Sequence, residues 1–282
     1  MKFGVIVPCR NISEFFFEYI SHNFKLIKDA DIPVVFIDNK SVDNSVELIK
    51  SLSDNLLQNE IDGGFAYSLN KGINFLIENF KSEAFLILSS DVKINISLLD
   101  SLKNLKWEKQ WGYLSFTENN FKTTHNYEIE KNPSSASVFM IHNITLESVG
   151  YYDEEYYMYG EDNDYFIRIK LKGLLFIKSP EIFFHKGQGY SKGNTYSNYI
   201  SSLCYRNYLL VYKKNNLHLK LLIAIFKSII FVILGNKIFL FLNRSKEVER
   251  FTNIKFRVRL LYFFKSIKYL LKRKDLILNK TV

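Results

Sequence analysis

The stretch Phe3-Gly-Val-Ile-Val-Pro-Cys-Arg-Asn11 joins a short apolar run to a polar loop, and the same pattern returns twice before residue 92. Short runs rich in β-branched or aromatic residues alternate with longer segments of helical periodicity, which predicts a βαβαβ order. The predicted strands are Phe3–Val7, Val34–Ile37 and Phe85–Leu88, and the predicted helices are 15–27, 46–57 and 65–80. We therefore predict an α/β fold with a Rossmann-like mixed central sheet flanked by helices.

Polar residues follow each predicted strand and mark the first candidate site. The loops are Pro8–Asn11, Asp38–Asp43 and Ser89–Asp91. Since parallel α/β sheets bind ligands at the carboxyl ends of their strands, we expect these loops to line one site. Asp91 is a candidate ligand for a divalent cation because Mg²⁺ and Mn²⁺ prefer hard oxygen ligands. Taken alone, an Asp after a strand is more often a turn former or a helix cap.

Three carboxylates crowd into four positions at Glu161, Asp162 and Asp164, with Arg168 close behind. Like charges at this spacing repel, which raises the pKa of at least one carboxyl and suits it to act as a general base near neutral pH. The alternative interpretation is a helix N-terminus, where acids complement the helix dipole and Asp164 pairs with Arg168.

His185 ends the apolar run Ile182–Phe184 and is followed by two glycines, Gly187 and Gly189. A neutral imidazole at this point can complete a metal site begun by Asp91. A His after an apolar run is nevertheless more often structural. The other four histidines have no comparable setting.

The second half of the chain returns from strands to helices. Strands are predicted between Trp111 and His142 around a polar loop at 117–131. Further on, the pattern predicts helices at Asp164–Lys172 and Tyr196–Lys213, with a strand pair at Leu174–Ile177 and Ile182–His185 between them.

Composition excludes several classes of protein. With 47% hydrophobic residues, the chain can bury a sizeable core. Cys9 and Cys204 are the two cysteines and have no partners at metal-ligand spacing, so a reducing compartment fits. The net charge is +9, but residues 217–282 hold 15 Lys and Arg against three acids, which leaves −3 for residues 1–216. This distribution argues against nucleic-acid binding.

The basic tail has two apolar segments. Leu221–Leu242 is interrupted by Lys227 and Lys237, so no charge-free run reaches the roughly 18 residues of a spanning helix. The second segment, 256–271, is predicted as an amphipathic helix suited to an anionic membrane surface. Packing on the rest of the chain or on a partner is the alternative. The apolar face of this helix comprises Phe256, Leu260, Phe263, Phe264, Ile267, Leu270 and Leu271, and its basic residues are Lys255, Arg259, Lys265, Lys268 and Lys272.

The order of these motifs resembles the inverting glycosyltransferases of family 2, and particularly their bacterial rhamnosyl- and galactofuranosyltransferase-like branch. The likeness spans residues 3 to about 215. Segments similar to the family's donor side are Val5–Pro8, Asp38–Ser45, Gly64–Ala66 with Asn70 and Gly72, and Ser89–Asp91. Segments similar to its acceptor side are Val149–Asp164 with Arg168 and Gly173, then His185 with Gly189 and Ser191, and finally Arg206-Asn207.

The resemblance implies a GT-A fold and a transfer of sugar from a nucleotide-diphosphate donor to an acceptor hydroxyl, with inversion. Asp162 is the implied base, with Glu161 beside it, and Asp91 and His185 are the implied ligands of Mn²⁺ or Mg²⁺. The implied donor-binding residues are Pro8, Arg10, Asp38, Asp43, Gly64, Phe65, Asn70, Ser90 and Asp91. The implied acceptor-side residues are Tyr159, Asp164 and Arg168, preceded by the aromatic run Tyr151–Tyr159, which suits stacking on sugar faces.

The resemblance and the basic amphipathic tail together suggest an organisation and partners. Residues 1–216 are predicted to be the catalytic domain, with a nucleotide-sugar half at 1–92 and an acceptor-side half at 93–216, and residues 217–282 a membrane-associating helical tail. The expected acceptor is a lipid-linked saccharide at the cytoplasmic face of the cell membrane, in O-antigen or capsule-type synthesis. No nucleic-acid partner is expected, and homo-oligomerisation is left open.

Two departures from the family pattern keep a rival open. The family usually has Asn where this chain has Asp62, and Asp or Asn where it has Ser89. Only Asp91 then remains as a carboxylate in the metal motif, so a transferase-like module without turnover stays an alternative. A sugar-phosphate nucleotidyltransferase is disfavoured, because that class has a glycine-rich loop with Arg and Lys after the first strand, where this chain has Pro8–Asn11.

Overall fold

A computed structural model describes residues 1–119, 126–133, 136–186 and 206–234, together with 260–261, 263–264 and 267–268. The chain forms two compact units. The first comprises Met1–Tyr157 and Tyr165–Gly189, and the second comprises Met158–Asp164 and Tyr190–Val282. The predicted domain boundary after residue 216 stays a prediction.

The first unit alternates strands and helices. Its strands are β1 (Phe3–Cys9), β2 (Val34–Asp38), β3 (Leu56–Gln58), β4 (Ala84–Leu88), β5 (Val92–Lys93), β6 (Trp111–Glu118), β7 (Glu128–Glu130), β8 (Val138–His142) and β9 (Leu175–His185). Its helices are α1 (Ser21–Asp29), α2 (Ser45–Lys50), α3 (Gly64–Phe80), α4 (Ile96–Asn104), α5 (Asn143–Val149) and most of α6 (Glu161–Leu171). A 3₁₀ turn at Ser13–Phe15 and a π turn at Phe16–Ile20 precede α1. The strands β1, β2 and β4 and the helix α3 lie where the sequence predicts them.

The strands of the described residues form one mixed sheet in the order β3-β2-β1-β4-β8-β6-β9-β5, and β7 pairs with β9. β3, β2, β1 and β4 run parallel, β8 is antiparallel to β4 and β6, and β6 runs parallel to β9. The parallel half therefore collects the ends of β1, β2 and β4, with their polar loops, at one edge of the sheet.

Successive side chains of the central strands point to opposite faces of the sheet and divide the core into two layers. Val5 and Val7 of β1 belong to one apolar cluster with residues of α1, α2 and α4, whereas Ile6 belongs to another with residues of α3, α5 and α6. Because helices cover both faces of this sheet, its central strands need apolar residues at odd and at even positions alike. β2 and β4 are likewise buried at every position.

Three predicted elements differ from the observed ones. The helix predicted at 46–57 ends at Lys50, and Leu56–Gln58 pairs with β2 instead, because short apolar runs fit either period. The strand pair predicted at 174–177 and 182–185 is the single strand β9, which accommodates a register irregularity against β6. Within the polar loop predicted at 117–131, residues 128–130 form β7, and residues 120–125 lie outside the described residues.

The second unit is helical where it is described. Residues 206–214 form α7, and α8 spans His218–Leu234. Part of the helix predicted at 196–213 is thus confirmed, while residues 196–205 lie outside the described residues. Within the helix predicted at 256–271, the six described residues are helical. Among the helices of the described residues, none combines the length and the apolar character needed to cross a membrane.

Candidate functional site

Asp91 and His185 meet where two strands end. Asp91 directly precedes β5, whose Val92 is paired with His185 at the end of β9. The backbone N–H of Lys186 donates to the carbonyl of Asp91 at 3.1 Å, which fixes this register. As a result, His185 Nε2 lies 3.2 Å from Asp91 Oδ2. The structure therefore joins the two residues that the sequence suggested as metal ligands.

A second carboxylate lies beside His185. His185 Nδ1 lies 3.5 Å from Oε2 of Glu118, at the end of β6. The hydrogen bond to Asp91 raises the pKa of His185 above its usual value, and burial opposes this shift only in part. Asp91 itself is buried, with 6% of its surface exposed. Glu118 was not singled out in the sequence, where nothing relates it to a histidine 67 positions later.

The geometry of the pair fits a divalent cation held by the two side chains. A cation about 2.1 Å from two adjacent ligands of an octahedron sets those ligands roughly 3.0 Å apart, close to the observed 3.2 Å. Within the described residues, no group of three or more His, Cys, Asp or Glu side chains is arranged to hold a metal ion. A cation bound here would therefore take its remaining ligands from a bound phosphate or from water.

A second polar cluster lies at the end of β1. Arg10 forms an ion pair with Asp62, and its Nη1 donates to the hydroxyl of Tyr157 at 3.0 Å. The hydroxyl of Tyr157 also donates to Asp62. The carboxylate of Asp62 thus contacts both a guanidinium and a phenol hydroxyl. Tyr157 was missed in the sequence because it stands within a run of similar aromatics.

The end of β2 contributes Asp38 and Asn39, which are both buried. Asp38 Oδ2 accepts from the N–H of Ser41 at 3.1 Å, and among the described residues its buried Oδ1 has no hydrogen-bond partner. Asn39 donates to Asp62 at 2.9 Å and accepts from the N–H of Gly63 at 3.0 Å. A buried carboxylate oxygen without a partner is costly, so Asp38 is suited to accept an N–H group from a ligand.

Asp43 serves the loop that carries it. Its Oδ2 accepts from the hydroxyl of Ser13 at 2.6 Å and from the N–H of Ser13 at 3.3 Å. Its Oδ1 accepts from the N–H of Ser45 at 3.1 Å and from the hydroxyl of Ser45. Burial tends to raise the pKa of Asp43, but these hydrogen bonds outweigh it and the pKa is lowered. Both carboxylate oxygens thus hold the loops after β1 and β2 together.

The start of α3 requires a glycine. Gly64 has φ +84°, and a Cβ added there would collide with the carbonyl oxygen of Tyr157. The N–H of Phe65 donates to that same carbonyl at 3.2 Å. This contact satisfies one of the N–H groups that a helix start leaves open. Gly64 and Phe65 therefore anchor the segment of Tyr157 on α3.

Asn70, on the same helix, also has a structural partner. Its amide donates to the carbonyl of Tyr152 at 2.9 Å and to Glu154 at 2.8 Å, and its Oδ1 accepts from the N–H of Tyr152 at 3.1 Å. The side chain thereby fastens the segment 152–154 to α3.

The remaining predicted residues of the first unit have simpler surroundings. Pro8 pairs with Ile37 in the parallel register of β1 and β2. Ser90 lies, partly buried, beside Asp91 in the turn after β4. Arg168 donates to the carbonyl of Val149 at 2.8 Å, and its guanidinium lies 4.9 Å from the ring centre of Tyr165.

The acidic turn, residues Met158–Asp164, belongs to the second unit. Tyr159 and Gly160 both have positive φ, of +63° and +102°, and α6 begins directly after them. The acids therefore do occupy a helix N-terminus, as one interpretation of the sequence proposed.

Two carboxyls of the acidic turn hold protons unusually tightly. Burial raises the pKa of Glu161 well above its usual value, and the charge of Asp162 adds to this. Burial also raises the pKa of Asp162 to about 7. Glu161 Oε2 and Asp162 Oδ1 are buried and have no hydrogen-bond partner among the described residues, whereas Asp162 as a whole stays partly exposed. Asp162 can therefore exchange a proton with a ligand near neutral pH.

The third carboxyl is engaged differently. Asp164 is 2% exposed, and its Oδ1 accepts from the amide of Asn215 at 2.8 Å. This hydrogen bond occupies one of its carboxylate oxygens. The three acids are thus chemically distinct, although they look equivalent in the sequence.

No protein-family model matches this chain, and no curated protein matches it. Solved glycosyltransferases share its fold. The mannosyltransferase PcManGT from Pyrobaculum calidifontis, in complex with GDP-Man and Mn²⁺, has a TM-score of 0.58 at 14% identity, covering 97% of this chain and 88% of that chain. TarS 1–349 from S. aureus, in complex with UDP-GlcNAc, has a TM-score of 0.53 at 16% identity, covering 95% and 82%.

GalNAc-T7, with UDP, GalNAc and Mn²⁺, has a TM-score of 0.59 at 12% identity. The match covers 98% of this chain and 58% of the GalNAc-T7 chain. At such identities the likeness establishes the fold. The chain has a mixed α/β fold of the GT-A type, as predicted.

Proposed function

We propose that this protein is an inverting, metal-dependent glycosyltransferase of family 2 that uses a nucleotide-diphosphate sugar. The observation that carries the proposal is the contact between Asp91 and His185 at the edge of a GT-A sheet. A carboxylate and an imidazole beside the ends of β1 and β2 suit a cation that neutralises a diphosphate. The donors in the structural neighbours are GDP-Man and UDP-GlcNAc, which supports this substrate class.

In this proposal the first unit binds the donor. Asp38 accepts an N–H of the nucleobase through its buried Oδ1, and Arg10, held by Asp62 and Tyr157, lies at the end of the neighbouring strand. A divalent cation, when bound by Asp91 and His185, supplies positive charge for the departing diphosphate. Asp43, Gly64, Phe65 and Asn70 act through the loops that they hold.

Asp162 is proposed as the general base, and its role is inferred from the resemblance and from its own titration. Its carboxylate takes the proton of the acceptor hydroxyl while the acceptor oxygen forms a bond to the anomeric carbon. The bond from that carbon to the diphosphate oxygen breaks, and its electron pair leaves with the diphosphate. One displacement inverts the anomeric configuration, and no covalent enzyme intermediate is required.

A membrane-bound acceptor is supported by α8. Leu219, Leu222, Ile223, Phe226 and Ile229 are exposed by 40–72% along one side of this helix, while Ala224 and Ser228 are buried on another. Residues 206–234 contain five Lys or Arg and no Asp or Glu. An exposed apolar stripe, on a segment whose charged residues are all basic, suits binding to the surface of an anionic membrane. We therefore propose a peripheral location at the cytoplasmic face of the membrane and a lipid-linked saccharide acceptor in bacterial surface polysaccharide synthesis.

The decisive experiment is a screen of nucleotide sugars against the full chain. We expect Mn²⁺- or Mg²⁺-dependent release of nucleotide diphosphate from one donor, accelerated by a lipid-linked saccharide. The anomeric configuration of the product, read by NMR, then separates inversion from retention. A complete lack of nucleotide release with every donor and acceptor would overturn the proposal in favour of a transferase-like binding module.

A further inference from the structure

The side chain of Asn207 joins α7 to the acidic turn inside the second unit. It is fully buried. Its amide donates to the carbonyl of Met158 at 3.0 Å and also to the carbonyl of Tyr159. Its Oδ1 accepts from Nη1 of Arg206 at 3.1 Å. Both ends of the carboxamide are therefore occupied.

The turn that Asn207 holds has an unfavourable backbone. Tyr159 has φ +63°, a left-handed conformation that residues with a Cβ rarely adopt. Gly160 follows with φ +102°, and its carbonyl accepts from the N–H of Asp164 to close the first turn of α6. Asn207 donates to the carbonyls of Met158 and Tyr159, the first two residues of this turn. Each of these hydrogen bonds stabilises the turn, so Asn207 favours this backbone over its alternatives.

A second contact, from the residue that follows α7, supports the arrangement. Asn215, just after α7, donates to Asp164 at 2.8 Å and to the carbonyl of Val211 at 2.9 Å. The two asparagines therefore contact both ends of the acidic turn, one at Met158 and the other at Asp164. Asp162 lies between these two points in the chain.

We propose that Asn207 is a positioning residue for Asp162: it fixes the left-handed turn before α6 and so sets the direction in which the Asp162 carboxylate points. The identity of Asp162 as the base rests on the proposed function. The hydrogen bonds between Asn207 and the turn are observed independently of that function. Loss of the Asn207 amide removes a hydrogen bond from each of two carbonyls of the turn, the turn relaxes, and water reaches the carboxyl of Asp162. Proton transfer then suffers while donor binding does not.

The test compares the full chain with three variants. Asn207→Leu keeps the size of the side chain but cannot donate, and Asn207→Gln keeps the amide. Tyr208→Phe is the matched control, since Tyr208 is the next residue of α7 and is 43% exposed. Each protein is assayed for kcat, donor KM and thermal unfolding. The titration of Asp162 is followed by the infrared carbonyl band of its protonated carboxyl, assigned with Asp162→Asn.

For Asn207→Leu we expect a 10- to 100-fold fall in kcat, a donor KM within twofold of wild type, and an Asp162 titration midpoint shifted towards the ordinary carboxyl range. Asn207→Gln should restore part of kcat and of the midpoint, and Tyr208→Phe should match wild type. A folded Asn207→Leu protein with an unchanged midpoint overturns the proposal, even if its stability falls. Should Asn207→Leu not fold, Asn207→Ala, which also cannot donate, replaces it under the same criteria.

The two proposals can fail separately. If wild type turns over no nucleotide sugar, the proposed function fails. The infrared midpoint of Asp162 then decides the role of Asn207 by itself, because that measurement needs no substrate.

Discussion

His185 Nε2 lies 3.2 Å from Asp91 Oδ2 although 94 positions separate the two residues. The contact depends on the antiparallel pairing of β5 with the end of β9, which sets the imidazole beside the carboxylate. Each residue alone has an ordinary structural explanation. Together, at the edge where β1, β2 and β4 end, they form a pair with the chemistry and spacing for a divalent cation.

The first prediction concerns this pair. Asp91→Asn keeps the size of the side chain but removes its charge, so we expect metal-dependent turnover to fall at least 100-fold and the Mn²⁺ concentration for half-activity to rise. Nucleotide release is measured across a Mn²⁺ series. Asp100→Asn, an exposed carboxylate on α4, is the control and should behave as wild type. Unchanged metal-dependent turnover in Asp91→Asn would remove Asp91 from the site.

The second prediction concerns the base. Asp162→Asn cannot accept a proton, and we expect kcat to fall by roughly 10²–10⁴ with little change in donor binding. In wild type the rate should rise with pH to a half-maximum near pH 7, where the carboxyl loses its proton. Asn163→Ala, the exposed neighbour, serves as control. Near-normal turnover by Asp162→Asn at any pH would refute the assignment.

The third prediction concerns stability. The pKa of Asp162 is about 7 in the folded protein and roughly 4 in an unfolded chain. Between these values the folded state keeps a proton that the unfolded state releases, so the free energy of unfolding falls as pH rises from about 4 to 7 and then levels off. The raised pKa of Glu161 acts in the same direction.

Asp162→Asn has no charge to bury, and we therefore expect its melting temperature to exceed that of wild type at pH 8 by about 2–4 °C. The difference should shrink towards pH 4. Calorimetry at both pH values checks this, with Asp100→Asn as the control that shows no such trend. A variant less stable than wild type at pH 8 would show that burial of the Asp162 charge carries no free-energy cost.

The fourth prediction separates steric collision from backbone strain. Gly64 and Gly173 both have positive φ, of +84° and +70°, but only at Gly64 would a Cβ meet the carbonyl of Tyr157, since nothing lies within 4 Å at Gly173. We expect Gly173→Ala to lower stability by about 1 kcal/mol and Gly64→Ala by roughly 2–4 kcal/mol, with donor binding weakened as well. Chemical denaturation measures both. Equal losses of stability in the two variants would mean that the segment of Tyr157 moves away from the added Cβ without a free-energy cost.

The fifth prediction concerns α8. Replacing both Leu222 and Phe226, each 64% exposed, with Ser removes much of its apolar stripe. Each large apolar side chain contributes roughly 1.5–3 kcal/mol when buried, so we expect the affinity for anionic vesicles to fall at least 10-fold. Sedimentation of the full chain with phosphatidylglycerol vesicles checks this. Leu171→Ser on α6, at a residue 62% exposed, is the matched control, and equal binding by all three proteins would exclude α8 as the lipid surface.

Several features of the fold follow from the sequence because they are local. The period of apolar residues predicted β1, β2, β4 and α3, and the polar loop after each strand marked the edge where ligands bind. Where the local signal was ambiguous, prediction failed. Leu56–Gln58 forms a strand because β2 offers it a backbone partner, and no periodicity within three residues can report that.

The hydrogen-bond partners of the individual site residues could not be predicted from the sequence. Asp43 and Asn70 are predicted donor-binding residues, and that role stays a prediction; the structure engages their polar atoms with Ser13, Ser45 and Tyr152. A side chain's type shows which hydrogen bonds it can form, but its partner depends on which segment packs against it.

The sequence by itself determined the α/β order, the crowding of three acids in one turn, and the separation of a basic tail from an acidic body. These are properties of composition and spacing. Only the tertiary structure decided that Asp91 meets His185, that Asn215 binds Asp164 while Asp162 keeps a buried oxygen without a partner among the described residues, and that Asn207 holds the turn before α6. Hydrogen bonds and burial depend on contacts between distant segments, and those contacts give chemically similar residues different pKa values and different roles.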